Sequence, residues 1–295
     1  LHGLISFQPR LRGLRLVVGD LCQKIGDFPR AIEEYQALLK GDPAAAPQVL
    51  ERAQALAKSA PKEPLTKLLL FMAHAAQGTI PKALDALASY AATGQAERAD
   101  AIRNLLDLRE KHKTEPGVMI LLGRLYIEGG DVERGVRALG TAKEEGAEFG
   151  ALDSALRAAL EKDPRNIRAR EILGEAAFAQ KRYPEAALHM RHVTRAEGKR
   201  FTLLGKAVAM LESDAANPEA LLLLAELAKG ESQPGRMGVA LRCLIRLAPE
   251  RAKEALDVAV PPGKHPQAYL AAVECAVAAG DARHALQYLS GYFTS

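Results

Sequence analysis

The chain has 295 residues, 40 basic and 36 acidic side chains and a net charge of +4, a balance too mild to imply a polyanionic partner. Tryptophan is absent and aromatics make up 5%, which excludes a core built on large rings; Ala and Leu supply much of the 48% hydrophobic content, as closely packed helices require. No apolar run approaches the roughly 18 residues of a membrane-spanning helix, since Leu65–Ala76 is broken by Thr66, Lys67 and His74. Cys22, Cys243 and Cys275 are odd in number, far apart and set in apolar segments, so they read as buried thiols rather than a disulfide framework. That places the chain in a reducing compartment and makes cytoplasmic the expected location, with a periplasmic or membrane-anchored one the alternative if an upstream segment supplies a signal or anchor.

Along the chain, residues 1–11 overlay on the stretch before Pro164: Leu1, Leu4, Ile5 and Pro9 fall on Leu156, Ala159, Leu160 and Pro164. They are expected to be the tail of a helix from a preceding unit. Helix pairs are then expected at 14–25 and 29–40, 65–77 and 81–92, 117–128 and 132–145, from Pro164 onward and from Tyr183, at 219–229 and 235–247, and at 266–279 and 282–292. A third helix is expected at 47–59, 96–113, 150–162, 200–212 and 250–259. The predicted openers are Pro9, Pro64, Pro116, Pro164, Pro218 and Pro266, because proline suits the first turn of a helix and ends the preceding one. The first turns fall at Gly26-Asp27, Gly78-Thr79, Gly130-Asp131, Lys181-Arg182, Ser232-Gln233 and Gly280-Asp281.

From Gly26 to Gly78 to Gly130 the spacing is 52 residues each time. A steady period is the mark of a repeat array, and it favours one elongated domain over 1–295 rather than two globular ones. The expected units are 12–63, 64–115, 116–166, 167–217, 218–265 and 266–295.

The first two helices of each unit resemble the tetratricopeptide repeat. Gly19, Gly26-Asp27-Phe28, Ala31, Tyr35 and Asp42-Pro43 carry the likeness in the first unit, Gly123, Tyr126, Gly130-Asp131 and Ala142 in the third, and Gly174, Tyr183 and Ala186 in the fourth. Leu224-Ala225 and Gly280-Asp281 with Ala285 are weaker matches, and the second unit keeps only Gly78 and Ala83. The family repeats every ~34 residues as helix pairs, so the longer period points to an all-α, right-handed solenoid of such pairs with a third helix per unit. The resemblance implies binding of a protein or peptide on a concave surface lined by the first helices.

Chemistry-bearing motifs are scarce. The sequence has no phosphate-binding glycine loop, nucleophile elbow, zinc-protease helix or paired-cysteine motif, so no catalytic residue and no cofactor is expected. Glu185, His189 and His192 share a helix face at metal-ligand spacing, but an incidental arginine-rich face explains them better, and no metal is expected. Arginines gather at Arg10, Arg12 and Arg15, at Arg165, Arg168 and Arg170, and at Arg191, Arg195, Lys199 and Arg200. Interleaved acids make them solvated, paired faces rather than a nucleic-acid surface.

Overlay of the first helices aligns Asp20, Met72, Arg124, Glu175, Glu226 and Glu274 one residue after the close-packing position, on the face that in the resembled family points into the groove. The three glutamates form an acidic stripe suited to a basic peptide. The expected function is a non-catalytic scaffold or adaptor within a larger assembly. Self-assembly through an apolar end formed by Tyr288, Leu289, Tyr292 and Phe293 is one alternative, and nucleic-acid binding is another.

Overall fold

A computed structural model describes residues 12–197, 201–230, 233–259 and 266–294. The 1–11 segment with Pro9 and Arg10, together with Lys199, Arg200 and Ser232, lies outside the described residues. The chain divides into two compact units, Leu1–Ala158 and Ala159–Ser295.

The first unit runs through α1 (Arg12–Lys24), α2 (Phe28–Gly41), α3 (Ala46–Ser59), α4 (Pro64–Ala76), α5 (Ile80–Ala91), α6 (Gln95–Lys111), α7 (Pro116–Glu128) and α8 (Val132–Glu144) into α9 (Phe149–Lys162). The second holds α10 (Ile167–Ala179), α11 (Tyr183–Glu197), α12 (Phe201–Ser213), α13 (Pro218–Gly230), α14 (Pro234–Leu247), α15 (Ala252–Ala259), α16 (Pro266–Ala278) and α17 (Ala282–Thr294). No strand occurs among the described residues. The most extensive packing joins α1 to α2, α4 to α5, α7 to α8, α10 to α11, α13 to α14 and α16 to α17. Helices α3, α6, α12 and α15 each pack on the helix that opens the next pair.

The described turns inside the pairs share a repeated chemistry. Gly26, Gly78, Gly130 and Gly280 stand at φ of +81°, +72°, +93° and +73°, the left-handed region that glycine enters without a Cβ penalty. The glycine N–H returns to a carbonyl three residues back and the next N–H to one five back, as in Asp27 N to Cys22 O (2.9 Å) and Asp131 N to Tyr126 O (2.9 Å). That is a Schellman ending, which satisfies two orphan carbonyls at once. The following residue then caps the second helix: the side chains of Asp27, Asp131 and Asp281 accept from the N–H of Arg30, Arg134 and His284 at 3.3, 3.1 and 3.1 Å. In the fourth pair Lys181 takes the glycine's place at φ +60° and keeps the same bonds, with Arg182 N to Ala177 O at 2.8 Å.

One opener departs from expectation. Pro64 and Pro116 begin α4 and α7, but Pro164 lies in the turn before α10, and Asn166 is the cap, its side chain accepting from Ala169 N at 3.0 Å. The backbone leaves Asp163 through a turn held by Arg165 N to the Asp163 carboxylate, so the helix starts at Ile167, three residues later than the proline suggests.

Helix crossings depend on small residues. A Cβ on Gly19 would stand 2.4 Å from the Tyr35 ring, so the absent side chain is the space the ring fills; Tyr35 and Ala31 are fully buried. In the third pair Gly123 and Gly135 face each other, each with the other's carbonyl oxygen within 2.9 Å of where a Cβ would be. Gly135, not Ala142, occupies the position that Ala31 holds, five residues after the turn glycine, although Ala142 is also fully buried. Gly174 is looser, with its neighbours His189 Cβ and Met190 Cγ at 3.3 Å; Ala186 is buried opposite it, and Tyr183 packs tilted on Phe178 at 5.8 Å. Tyr126 is half-buried against the core of the first unit, and Ala285 is buried in that of the second. The last pair inverts the scheme: Gly291 on the second helix accommodates the ring of Tyr269 on the first, 2.3 Å from a Cβ position.

Candidate functional site

The six aligned positions come to different ends. On α1, Asp20 is clamped by Arg52 of α3, whose Nε and Nη2 donate at 2.7 and 3.0 Å, and by the Tyr35 hydroxyl of α2 at 2.7 Å. Burial alone would raise the Asp20 carboxyl, but the hydrogen bonds from Arg52 and Tyr35 outweigh it and hold the group below the usual carboxylate value. One side chain thereby ties three helices together. Arg124 on α7 is exposed and has no ion pair among the described residues.

In the second unit Glu175 pairs with Lys206 at 3.4 Å. Glu226 is nearly buried, and its Oε1 accepts from Arg191 at 3.2 Å and from Arg195 at 2.6 Å. Glu274 lies 3.6 Å from Arg242. Each of these carboxylates therefore faces a cation of its own chain.

Arg191 is the centre of a charge network across three helices and corrects the reading of its cluster as a solvated face. Only 6% exposed, it reaches Glu219 on α13 at 2.5 Å, Glu226 and, at 3.6 Å, Glu254 on α15. Arg251 closes the circuit to Glu219 and Glu254, both at 2.7 Å, and its hydrogen bond keeps the Glu254 carboxyl low. Arg15 is likewise spent on buried Glu34 at 2.7 Å, and Arg168 on Glu171 at 2.8 Å. Arg170 donates to the carbonyl of Pro164.

Met72 leads to an opening. It half-emerges from α4 at the side of a groove of about 400 Å³ in the first unit. Phe71, Met72, Ala75 and Ala76 of α4, Leu39 at the end of α2 and Pro43 form the apolar floor, while Asn104, Asp107, Leu108, Lys111 and His112 come from the last turns of α6 and its end. Lys40 and Lys111 on the rim are exposed and have no ion pair among the described residues, nor has Asp107. Met72 stands out in the sequence pattern but its surroundings do not, because residues as far apart as Leu39 and His112 converge only through the packing of α4 against α2 and the approach of the last turns of α6. A second recess of about 350 Å³ is lined by another part of α4, where Lys67 donates to Ser89 O at 3.2 Å and the Thr66 hydroxyl is buried without a hydrogen-bond partner among the described residues.

No group of three His, Cys, Asp or Glu among the described residues is placed to hold a metal; Glu185 lies 3.9 Å from a buried His189 and also pairs with Arg182, while His192 is exposed. Cys22 and Cys275 are buried, the latter thiol pushed up to about 12 by burial and then by Glu274, whereas Cys243 is only half-buried. At the apolar end Tyr288 is buried, contrary to expectation, because α17 turns it toward α16; Tyr292 is half-buried, and Leu289 and Phe293 are 37% and 78% exposed. No helix of the described residues is long and apolar enough to cross a membrane.

A model of the tetratricopeptide repeat family matches residues 151–197. No curated protein matches the sequence. Among solved structures, the chain is similar to the TPR domain of P58(IPK), 14% identical with 96% of each chain covered and a TM-score of 0.28. It is also similar to a mutant of MamA, 15% identical over 71% of this chain and 93% of that one at a TM-score of 0.21. Yeast Tom70 is 10% identical over 96% and 91% at a TM-score of 0.19.

Proposed function

We propose that this chain, a tetratricopeptide-like helical repeat protein, is a non-catalytic scaffold that binds a short segment of a partner protein in the Met72 groove of its first unit. The observation that carries the reading is the combination there of an apolar floor with two rim lysines, Lys40 and Lys111, that make no ion pair among the described residues, beside one carboxylate, Asp107. An apolar side chain seated on Met72, Phe71 and Ala75, with an acidic residue beside it facing Lys40 and Lys111, satisfies both features. Of the aligned positions, Met72 and the exposed Arg124 are assigned to partner contact. The charges of Asp20, Glu175, Glu226 and Glu274 are already met within the fold, so their part is to hold helices in register. The buried pairing of Arg15 and Arg191 weighs against a phosphate-binding role for the arginines.

The test is peptide selection from a displayed library on the whole chain, followed by fluorescence polarisation. Selected peptides are expected to pair an apolar with an acidic residue. The double charge reversal Lys40→Glu with Lys111→Glu is expected to weaken binding at least about tenfold, or 1.4 kcal/mol, while Glu226→Gln leaves it unchanged. Unchanged affinity in the double variant would contradict the assignment.

A further inference from the structure

Thr66 breaks a pattern that other pairs keep. Twelve residues before the left-handed turn residues Gly130, Lys181 and Gly280, helices α7, α10 and α16 bury Val118, Ala169 and Ala268, none more than 3% exposed. Twelve residues before Gly78, α4 buries a threonine, 2% exposed. The fold needs only an apolar side chain at this position, and a hydroxyl withdrawn from water without a hydrogen bond costs stability. No group among the described residues supplies that bond. Thr66 lines the second recess of about 350 Å³, which is formed by the last turn of α3, the first half of α4 and the second half of α5. Ligand pockets span ~300–1,000 Å³, so the space is large enough to hold one.

The charges around the recess favour a cation. Glu63 and Asp85 line it, and neither has an ion pair among the described residues. Helices α3 and α5 both bring their C-terminal turns to it, the helix ends that attract positive charge. Lys67 already uses one of these ends, donating to Ser89 O at 3.2 Å. The opposite end of α4 is met by its own cap, since the Glu63 carboxylate accepts from Leu65 N at 3.4 Å. Ala57, Leu70 and Ala86 add an apolar wall.

We propose that this recess receives an arginine side chain of a partner protein. The aliphatic stem packs on Ala57, Leu70 and Ala86, as long basic side chains do on apolar surface. The planar guanidinium carries five N–H donors and can serve Glu63, Asp85 and the Thr66 hydroxyl together, whereas a lysine offers one compact ammonium. The bond missing at Thr66 is then made by the ligand. This site is separate from the Met72 groove, so either reading stands or falls without the other.

The experiment is methyl NMR on the 295-residue chain titrated with acetylated, amidated Gly-Gly-Arg-Gly-Gly, with its lysine and glutamate counterparts and with free arginine. The arginine peptide is expected to shift the Thr66 and Ala86 methyls saturably and to leave the Met72 methyl unchanged. The lysine peptide is expected to bind at least about tenfold more weakly, and the glutamate peptide not at all. Asp85→Asn is expected to weaken the arginine peptide about three- to fivefold, and Thr66→Val at least about fivefold. Thr66→Val is also expected to raise the urea midpoint of the free chain, because the buried hydroxyl is gone. Absence of saturable shifts at the recess, or equal binding of the lysine or glutamate peptide, would overturn the proposal. So would binding of free arginine without the peptide, unchanged affinity in both variants, or a lowered midpoint for Thr66→Val, which would show the hydroxyl to be bonded within the fold.

Discussion

The third and fourth helix pairs carry the same short sequence, Leu122-Gly123 and Leu173-Gly174, and use it differently. In the third, Gly123 meets a second glycine, Gly135, and the two backbones approach until each carbonyl oxygen sits where the other's side chain would begin. In the fourth, Ala186 stands opposite Gly174, the nearest atoms to a Cβ are at 3.3 Å, and the turn is made by a lysine in a glycine's conformation. The difference teaches that a glycine in a helix is informative only together with the residue facing it. Backbone-to-backbone contact makes the third crossing intolerant of any side chain, whereas the fourth has a soft boundary of side-chain atoms that can give by tenths of an ångström.

Substitutions at the two crossings break the comparison in a graded way. The largest effect is expected for Gly135→Ala, whose methyl would stand 2.5 Å from Ile127 Cγ1 and 2.8 Å from the Gly123 carbonyl. Neither the backbone nor its neighbour on the same helix can withdraw cheaply, so a loss of about 2–3 kcal/mol is expected. It would be measured by urea unfolding, with faster hydrogen exchange across residues 116–144 locating the damage. Next, Lys181→Gly is expected to raise stability by about 1 kcal/mol, because it relieves a left-handed backbone carrying a Cβ while leaving the Arg182 to Ala177 bond in place. A loss on that substitution would show that the lysine side chain does more than occupy the turn. The smallest effect is expected for Gly174→Ala: a gain of a few tenths, below the ~1 kcal/mol that Ala has over Gly in an unencumbered helix, since part is spent on the contacts at 3.3 Å.

Local punctuation made much of the fold readable from sequence. A glycine at the turn recurs in four of the pairs and an aspartate after it in three, beside apolar residues at helical spacing, and each feature acts within a few residues of itself. Pro164 misled because the turn after Asp163 delays the helix to Ile167, and a proline fits the turn as well as the first helical position. The Gly123–Gly135 contact was hidden for a different reason: glycine within a helix reads as a weak helix former until its partner is known. Least readable were the charges. Arg191 lies 35 residues from Glu226 and Lys206 lies 31 from Glu175, so the cation that faces each of these glutamates comes from another helix. The groove shared that difficulty, with Met72 visible in the pattern and Lys40 and Lys111 brought to it only by packing.

We propose that the first unit engages a partner segment at Met72 while the carboxylates of the second hold its helices together. Hydrogen exchange of the whole chain, free and with a selected peptide bound, tests it most directly. Protection is predicted at residues 39–43, 71–76 and 104–112, with the segments around Glu175, Glu226 and Glu274 unchanged. Protection concentrated on the segments around those three glutamates, with none at the groove, would contradict it.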